Sequence, residues 1–377
     1  MKTKIFSIAL VFGVCCCSPK GDGSVSEVIV NGNKMYVSSL NDLKSDTKTI
    51  VLSRIVEDLE LVQFETKDEA YFKPWYTTVT DKYIGIRQSN APYVLFDRSG
   101  KYICNVGSVG RGPGEYIISP YDDIIDDKNE LIYLAPFTGD RILVYNTSGK
   151  HLKDIVAPQR LQKAKIFLTK NILTVVHTPF NNDRVIAIQF DVDSGEVLKE
   201  LAPPAQLIVK NFEAEIFNTR NASGIFDFLP TGNDTLYHFD VKNNKILPAY
   251  MMTFSSSENP YKQHFQLNKD LIFTHVFGKG LVATDLKNKT SSWVKVVNDS
   301  YGNMPAPTYV VHLRNGYWVH NIQPEDLMED IENRLAERSC TENDRQILNK
   351  TLSTLKEGTN NVVFIGKLKS EVKTKLW

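Results

Sequence analysis

The sequence predicts an all-β chain, a six-bladed β-propeller with a short two-helix insertion near the C-terminus. Three observations predict it: a strand-turn-strand pattern recurring at blade-like intervals, two-residue alternation of Val, Ile, Tyr and Phe around that pattern, and one late stretch whose apolar spacing is helical. The repeat is visible in VLFDRSGKYI (94–103), LVYNTSGKHL (143–152), QFDVDSGEVL (189–198), HFDVKNNKIL (238–247) and ATDLKNKTSS (283–292). Aligned on its acidic or amide residue, it places Asp97, Asn146, Asp191, Asp240 and Asp285 at separations of 49, 45, 49 and 45 residues. An apolar strand that ends in Asp or Asn can accept backbone N–H bonds from residues just beyond it. The following Ser-Gly or Asn-Asn supplies the positive φ that reverses the chain, so each repeat reads as a hairpin. With an inner strand before each hairpin, the period matches four short antiparallel strands.

The exception to the pattern is the pair of helices. Pro324 stands near the first turn of a segment carrying Leu327, Met328, Ile331 and Leu335 at helical spacing. Thr341 and Asp344 then form a capping box ahead of Ile347, Leu348, Leu352 and Leu355, and Gly358 suits the C-terminal stop. The apolar stripes predict a brace packed on a blade, with Glu325, Asp330, Arg334, Glu337, Arg338 and Lys350 on solvated faces. Setting the insertion (324–358) aside, residues 45–377 hold six periods of roughly 45 to 50 residues. The last blade is expected to combine strands from 308–322, 361–368 and the N-terminal run 50–64. Both chain ends then meet in one sheet and no edge is left open.

Ahead of the propeller, Lys2 and Lys4 precede an apolar run, Ile5 to Val14, that is too short to span a bilayer. Cys15, Cys16 and Cys17 follow it directly, and then the polar stretch SPKGDG. The arrangement resembles a bacterial lipoprotein signal over residues 1–17, with Cys17 the expected acylated residue and 18–44 a flexible tether and lead-in. An ordinary cleaved signal is the alternative. In the mature chain only Cys104 and Cys340 remain, which rules out a disulfide framework. With 44 basic and 44 acidic residues the net charge is zero. Nothing therefore points to a nucleic-acid partner, and the membrane is expected to be met through the lipid anchor alone.

The segments Phe96 to Lys101, Gly110 to Tyr116 and Leu59 to Thr66 (LELVQFET) resemble the bacterial six-bladed propeller lipoproteins related to NHL-repeat proteins. The resemblance covers most of the mature chain and is most specific before Gly195. It implies the fold and a cell-envelope location, lipid-anchored and either periplasmic or surface-exposed. The family shares no settled activity, so it transfers no catalytic residue.

The stretch most like a motif is GSVGRGPGEY (107–116). It lacks the Gly-Lys-Ser/Thr of a phosphate loop and the strand-to-helix context of a dinucleotide fingerprint, and Pro113 removes an amide that an anion nest would use. It is expected to be a crossing between blades. Gly110, Gly112 and Gly114 would hold positive-φ or crowded positions there, and Glu115 would bond free amides of the neighbouring blade. As a ligand site it would offer Arg111 and Glu115 as polar contacts and Tyr116 as a stacking platform. The paired acids Asp122-Asp123 and Asp126-Asp127 lack the ligand alternation of a calcium loop and read as a charged strand start and a turn. The seven histidines contain no metal-ligand spacing, so neither a metal nor a cofactor is expected. Trp75, Tyr76, Trp293, Tyr317 and Trp318 suit either sugar stacking or the core. No nucleophile elbow or acid–base pair is legible. The expected function is that of a non-catalytic binding or scaffold protein for a polypeptide or glycan. The alternative is a lyase or hydrolase acting on an extracellular polymer at the channel mouth.

Overall fold

A computed structural model describes residues 23–181, 183–254, 259–371 and 376–377; the expected signal, with Cys17, lies outside the described residues. Six antiparallel sheets follow one another along the chain as blades. Blade 1 is built from Tyr76–Val79, Tyr83–Arg87, Tyr93–Asp97 and Tyr102–Val106, and blade 2 from Pro120–Asp126, Leu131–Pro136, Thr138–Asn146 and His151–Gln162. Blade 3 begins at Lys165–Thr169, blade 4 at Ile216–Phe217, blade 5 at Lys262–Gln266 and blade 6 at Leu313–Arg314.

Blade 6 closes the ring as the sequence predicts. Its first three strands are Leu313–Arg314, Tyr317–Ile322 and Val362–Leu368, and its outermost strand is Val56–Gln63 from the N-terminal side. That closure explains why five repeats make six blades: the hairpin turn after Val362–Leu368 is replaced by pairing between distant parts of the chain. The five acidic or amide residues of the repeat each end the third strand of their blade. Asp97 Oδ1 accepts from the amides of Ser99 (2.9 Å) and Lys101 (3.0 Å), and Asp191 Oδ1 from those of Asp193 (3.0 Å) and Ser194 (2.8 Å).

Of the stretch expected as a tether and lead-in, Val25–Val30 and Asn33–Ser39 form a hairpin, and its second strand pairs in parallel with Lys245–Thr253 of blade 4. Lys48–Val51 likewise pairs in parallel with Thr290–Asn298 of blade 5. The outermost strands of two blades are thus covered by N-terminal strands, and the sheet edge of blade 4 moves outward to Val25–Val30.

Each sheet packs both faces against its neighbours, so second strands such as Leu131–Pro136 and Ile172–Val176 are largely apolar and not alternating. Ile124, Tyr133, Val144 and Ile155 of blade 2 meet Ile166, Leu173, Ile188 and Phe190 of blade 3 in one cluster. Each fully buried side chain of this kind stabilises the fold by about 1.5–3 kcal/mol. Outer strands lose this cover, as in Val197–Leu201 of blade 3, which is mostly exposed.

The insertion consists of helices Pro324–Ala336 and Glu342–Leu352, the second opened by the predicted Thr341/Asp344 capping box. Leu327, Ile331 and Leu348 are buried in a cluster with Met304 of blade 5 and Trp318 and Phe364 of blade 6, so the pair bridges these two blades. One of the charged residues expected on a solvated face, Arg334, is instead buried, and the capping residue Asp344 is buried with it. Arg334 donates Nε to the carbonyl of Gly302 at 2.7 Å, and Asp344 accepts from Asn303 at 3.1 Å. Cys104 and Cys340 are free thiols.

Candidate functional site at the channel mouth

Because strands alternate in direction, the start of every innermost strand lies on one face of the ring, together with the loop joining each blade's second and third strands. This is called the upper face here, and the five repeat turns lie on the lower one. The glycine-rich stretch belongs to the upper face, as the crossing from blade 1 into Pro120–Asp126 of blade 2.

That crossing is a loop closed on itself. Ser108–Val109 pairs in parallel with Glu115–Tyr116, the Gly112 amide donates to Glu115 Oε2 at 2.7 Å, and Ser108 Oγ donates to Oε1 at 3.1 Å. Glu115 therefore serves its own loop and not the amides of the next blade. Tyr116 is buried, its hydroxyl donating to the Val106 carbonyl (3.0 Å) and accepting from the Tyr93 amide (2.7 Å), so its ring presents no stacking face. Gly114 has φ +69° and its missing Cβ would lie 2.7 Å from the His151 ring, whereas Gly112 is not at positive φ. Arg111 is exposed. Together Arg111, Glu115 and Tyr116 line one wall of a groove of about 600 Å³, whose other wall is the blade 2 loop around Pro136, Phe137 and Arg141.

Deeper on the axis lies a cluster that sequence reading missed. Asp122 and Asp123, expected as a charged strand start, are fully buried in the channel. The register of Pro120–Asp126 shifts between Pro120 and Asp122, an irregularity at the head of the innermost strand. Asp122 Oδ1 accepts from Arg220 of blade 4 (2.9 Å) and from Arg314 of blade 6, and its Oδ2 accepts from the Ile166 amide of blade 3 (2.8 Å). Asp123 Oδ1 lies 2.8 Å from Arg87 Nε of blade 1 and accepts from Arg314 at 3.0 Å, while Oδ2 accepts from the Tyr93 hydroxyl at 3.0 Å. Five blades thus converge on two carboxylates. Burial alone would raise the Asp122 pKa, but Arg220, Arg314, Lys165 and Arg87 outweigh it and hold the acid far below the usual carboxylate range.

Above this plug the mouth is aromatic and cationic. The Arg87 guanidinium lies 4.3 Å from the Tyr76 ring centre and 5.7 Å from that of Trp75. Lys165 Nζ lies 4.2 Å from the Tyr121 ring centre, and Lys163 Nζ donates to the Phe212 (2.9 Å) and Ala214 (3.2 Å) carbonyls with Glu215 3.5 Å away. Neighbouring rings run edge to face from Tyr76 through Trp75, Tyr121, Phe137 and Phe212 to Phe180, at centre distances of 5.5 to 6.3 Å. Trp75 and Phe212 remain 39% and 49% exposed, enough to offer ring surface to a ligand. Phe137 belongs to both this run and the groove wall, so the two features are continuous.

Burial pulls the Lys165 pKa down to about 7; Asp122 works against that shift, and Arg87 and Arg314 reinforce it. Of the five aromatic residues singled out in the sequence, Trp75 and Tyr76 reach the mouth, while Trp318 is core and the Tyr317 hydroxyl bonds Asp81 at 2.8 Å. The signal that could have found the plug is a charge set against an apolar strand, as in YIGIR (83–87) and YDDII (121–125). Among the described residues no group of three His, Cys, Asp or Glu is placed to hold a metal ion, and no helix is long and apolar enough to cross a membrane.

Comparison with solved structures returns the same architecture. A protein of Bacteroides fragilis described as exported is similar over 86% of this chain and all of its own, at 14% identity and a TM-score of 0.56. A DUF4221 member from Bacteroides vulgatus aligns over 84% of this chain and 97% of its own, at 12% identity and a TM-score of 0.45. At this identity the first likeness speaks to fold alone, and the second carries no argument. No curated protein matches. The model of the family described as a domain of unknown function, DUF4934, matches residues 35–367, and with nearly the whole propeller inside that match the chain belongs to this family.

Proposed function

We propose that the protein is a lipid-anchored propeller of the cell envelope, of the NHL-like lipoprotein kind, that binds a polypeptide or glycan at the upper mouth of its channel without transforming it. The observation that carries this reading is the run of rings from Trp75 to Phe180, in which Trp75 and Phe212 are exposed and Phe137 and Phe180 half-buried around the buried Tyr121, set among cationic side chains and continuous with the 600 Å³ groove. An aromatic, partly concave surface assembled from several blades is what a recognition site requires. The basic, apolar and cysteine-bearing order of residues 2–17 supports the anchor. Two or more acyl chains hold a protein at a bilayer firmly, each buried methylene contributing ~0.8 kcal/mol.

Titrating purified protein against glycan and peptide panels, following both binding and product, tests the reading. Saturable binding that protects the starts of the inner strands from hydrogen exchange, with no new chain ends released, is the expected result. Protection confined to the helical insertion would refute it. The second reading, a polymer-cleaving enzyme at the same mouth, is favoured by one feature. Lys165, with its pKa near 7 and beside Tyr76 and Tyr121, is suited to act as a base. Release of chain ends that stops in Lys165→Met would establish it. For the anchor, Cys17→Ser should release soluble protein, and intact mass should show acylation of the unaltered chain.

A further inference from the structure

We infer that the ligand is an acidic saccharide, a pyranose carrying a carboxylate, whose carboxylate is received by Lys165, with the buried Arg87 adding its charge from beneath, and whose ring lies on Trp75. This rests on the channel mouth being the binding site and specifies the chemistry it selects. Among the described residues, Arg87, Arg220, Arg314, Lys163 and Lys165 face only Asp122, Asp123 and Glu215 as carboxylate partners, an excess of positive charge in a low-dielectric setting.

The excess is also unsatisfied at specific atoms. Arg87 Nη2 and Arg220 Nε are buried without a hydrogen-bond partner, and both residues are more than nine-tenths buried. Lys165, equally buried, touches the Tyr121 and Tyr76 rings, and among the described residues its Nζ makes no ion pair. Buried cationic donors left in this state are costly unless an acceptor arrives, and a carboxylate offers two oxygens to such donors. The flanking surface then decides between classes of acid. Trp75, 39% exposed, presents a flat apolar face, which suits the C–H face of a pyranose. An acidic peptide would also need acceptors for its amides. Three of those near the mouth are engaged, the Phe212 and Ala214 carbonyls by Lys163 and the Tyr121 carbonyl by Arg87.

A carboxylate beside Lys165 favours its charged form, so binding above neutral pH draws in a proton. The charged and titratable groups around Lys165 are Asp122, Arg87, Arg314 and Glu215, with Tyr76 and Tyr121 held protonated by burial. Asp122 stays ionised throughout, which leaves Lys165 as the group whose charge changes.

The test is calorimetry with galacturonate and glucuronate trisaccharides, their carboxyl-reduced neutral counterparts and polyglutamate, at pH 6 and pH 8. The expected result is binding of a uronate at least about tenfold tighter than its neutral counterpart, tighter at pH 6 than at pH 8, with that preference lost in Lys165→Met. Lys287→Met, which removes a charge from a lower-face turn, should change nothing. Trp75→Ala should weaken acid and neutral forms alike, and serves as the second variant should Lys165→Met fail to fold. Equal binding of the neutral sugars, or preferential binding of polyglutamate at the mouth, overturns the inference and leaves the binding role standing. Absence of binding by every probe at the mouth overturns both.

Discussion

Asp97 and Asp122 are aspartates in neighbouring blades, yet their carboxylates work in opposite ways. Asp97 ends a third strand on the lower face, where its oxygen accepts from the amides of Ser99 and Lys101 and from the Ser99 hydroxyl, all within four residues. Asp122 begins an inner strand on the axis, where its partners are Ile166, Arg220 and Arg314, the last of them 192 residues away. Burial raises the pKa of both, and in both the partners win and the net shift is downward. A depressed folded-state pKa means stability that is present above the unfolded value and lost as pH falls through the folded one. For Asp122 that loss comes only in strong acid. The difference teaches that one residue type can close a hairpin where its partners are local, or tie distant blades together where they are not, and that the second arrangement is far more costly to break.

The largest expected effect tests that asymmetry directly. Asp122→Asn removes the charge that Arg220 and Arg314 share, and should cost about 3–5 kcal/mol in urea unfolding at pH 7, because uncompensated buried charges remain. A loss below ~1 kcal/mol would show that water reaches the plug and that the two aspartates differ less than their burial implies.

Next in size is the crossing loop. Gly114→Val adds a β-branched side chain at φ +69° against the His151 ring and should destabilise by about 2–4 kcal/mol. Gly112→Val, whose Cβ would meet only the flexible Glu115 side chain at 3.0 Å, should cost distinctly less in the same melt. Equal losses would mean that the whole loop is rigid.

A third aspartate sharpens the comparison from the other side. Asp227 is buried with Thr219 and Asn221 as its partners and no cation, and burial raises its pKa to about 6. A raised folded pKa gives stability that is present below the unfolded value near 4 and lost as pH rises through 6. Asp227→Asn should therefore stabilise by on the order of 1–3 kcal/mol at pH 7.5 and by little at pH 4. Thermal melts at the two pH values check it, and a gain of the same size at both would remove ionisation as the cause.

The smallest effects belong to exposed groups. Asp97→Ala should cost about 1 kcal/mol, the usual worth of a local side-chain to backbone bond, against several for Asp122. Arg111→Ala should change stability by less than ~0.5 kcal/mol. If it nevertheless weakens ligand binding, the groove joins the mouth as a contact surface.

Parts of this architecture could be read from residues alone. The turn acids Asp97 to Asp285 and the Thr341 capping box were legible because each depends on partners within four residues along the chain. The closing strand Val56–Gln63 was legible for a different reason: a ring of blades must not leave an edge, so a spare apolar run at the N-terminus has one place to go. Arg334 was misread because a charged residue on a helix carries no sign of the Gly302 carbonyl waiting for it.

By itself, then, the sequence determined the blade period, the lower turns, the two helices and the way the ring closes, since strand alternation, turn chemistry and capping act over short spans. Only the tertiary structure decided what fills the channel and what faces out of it. Arg87, Asp122, Lys165, Arg220 and Arg314 come from five blades, and the low dielectric that fixes their charges exists only once those blades enclose them.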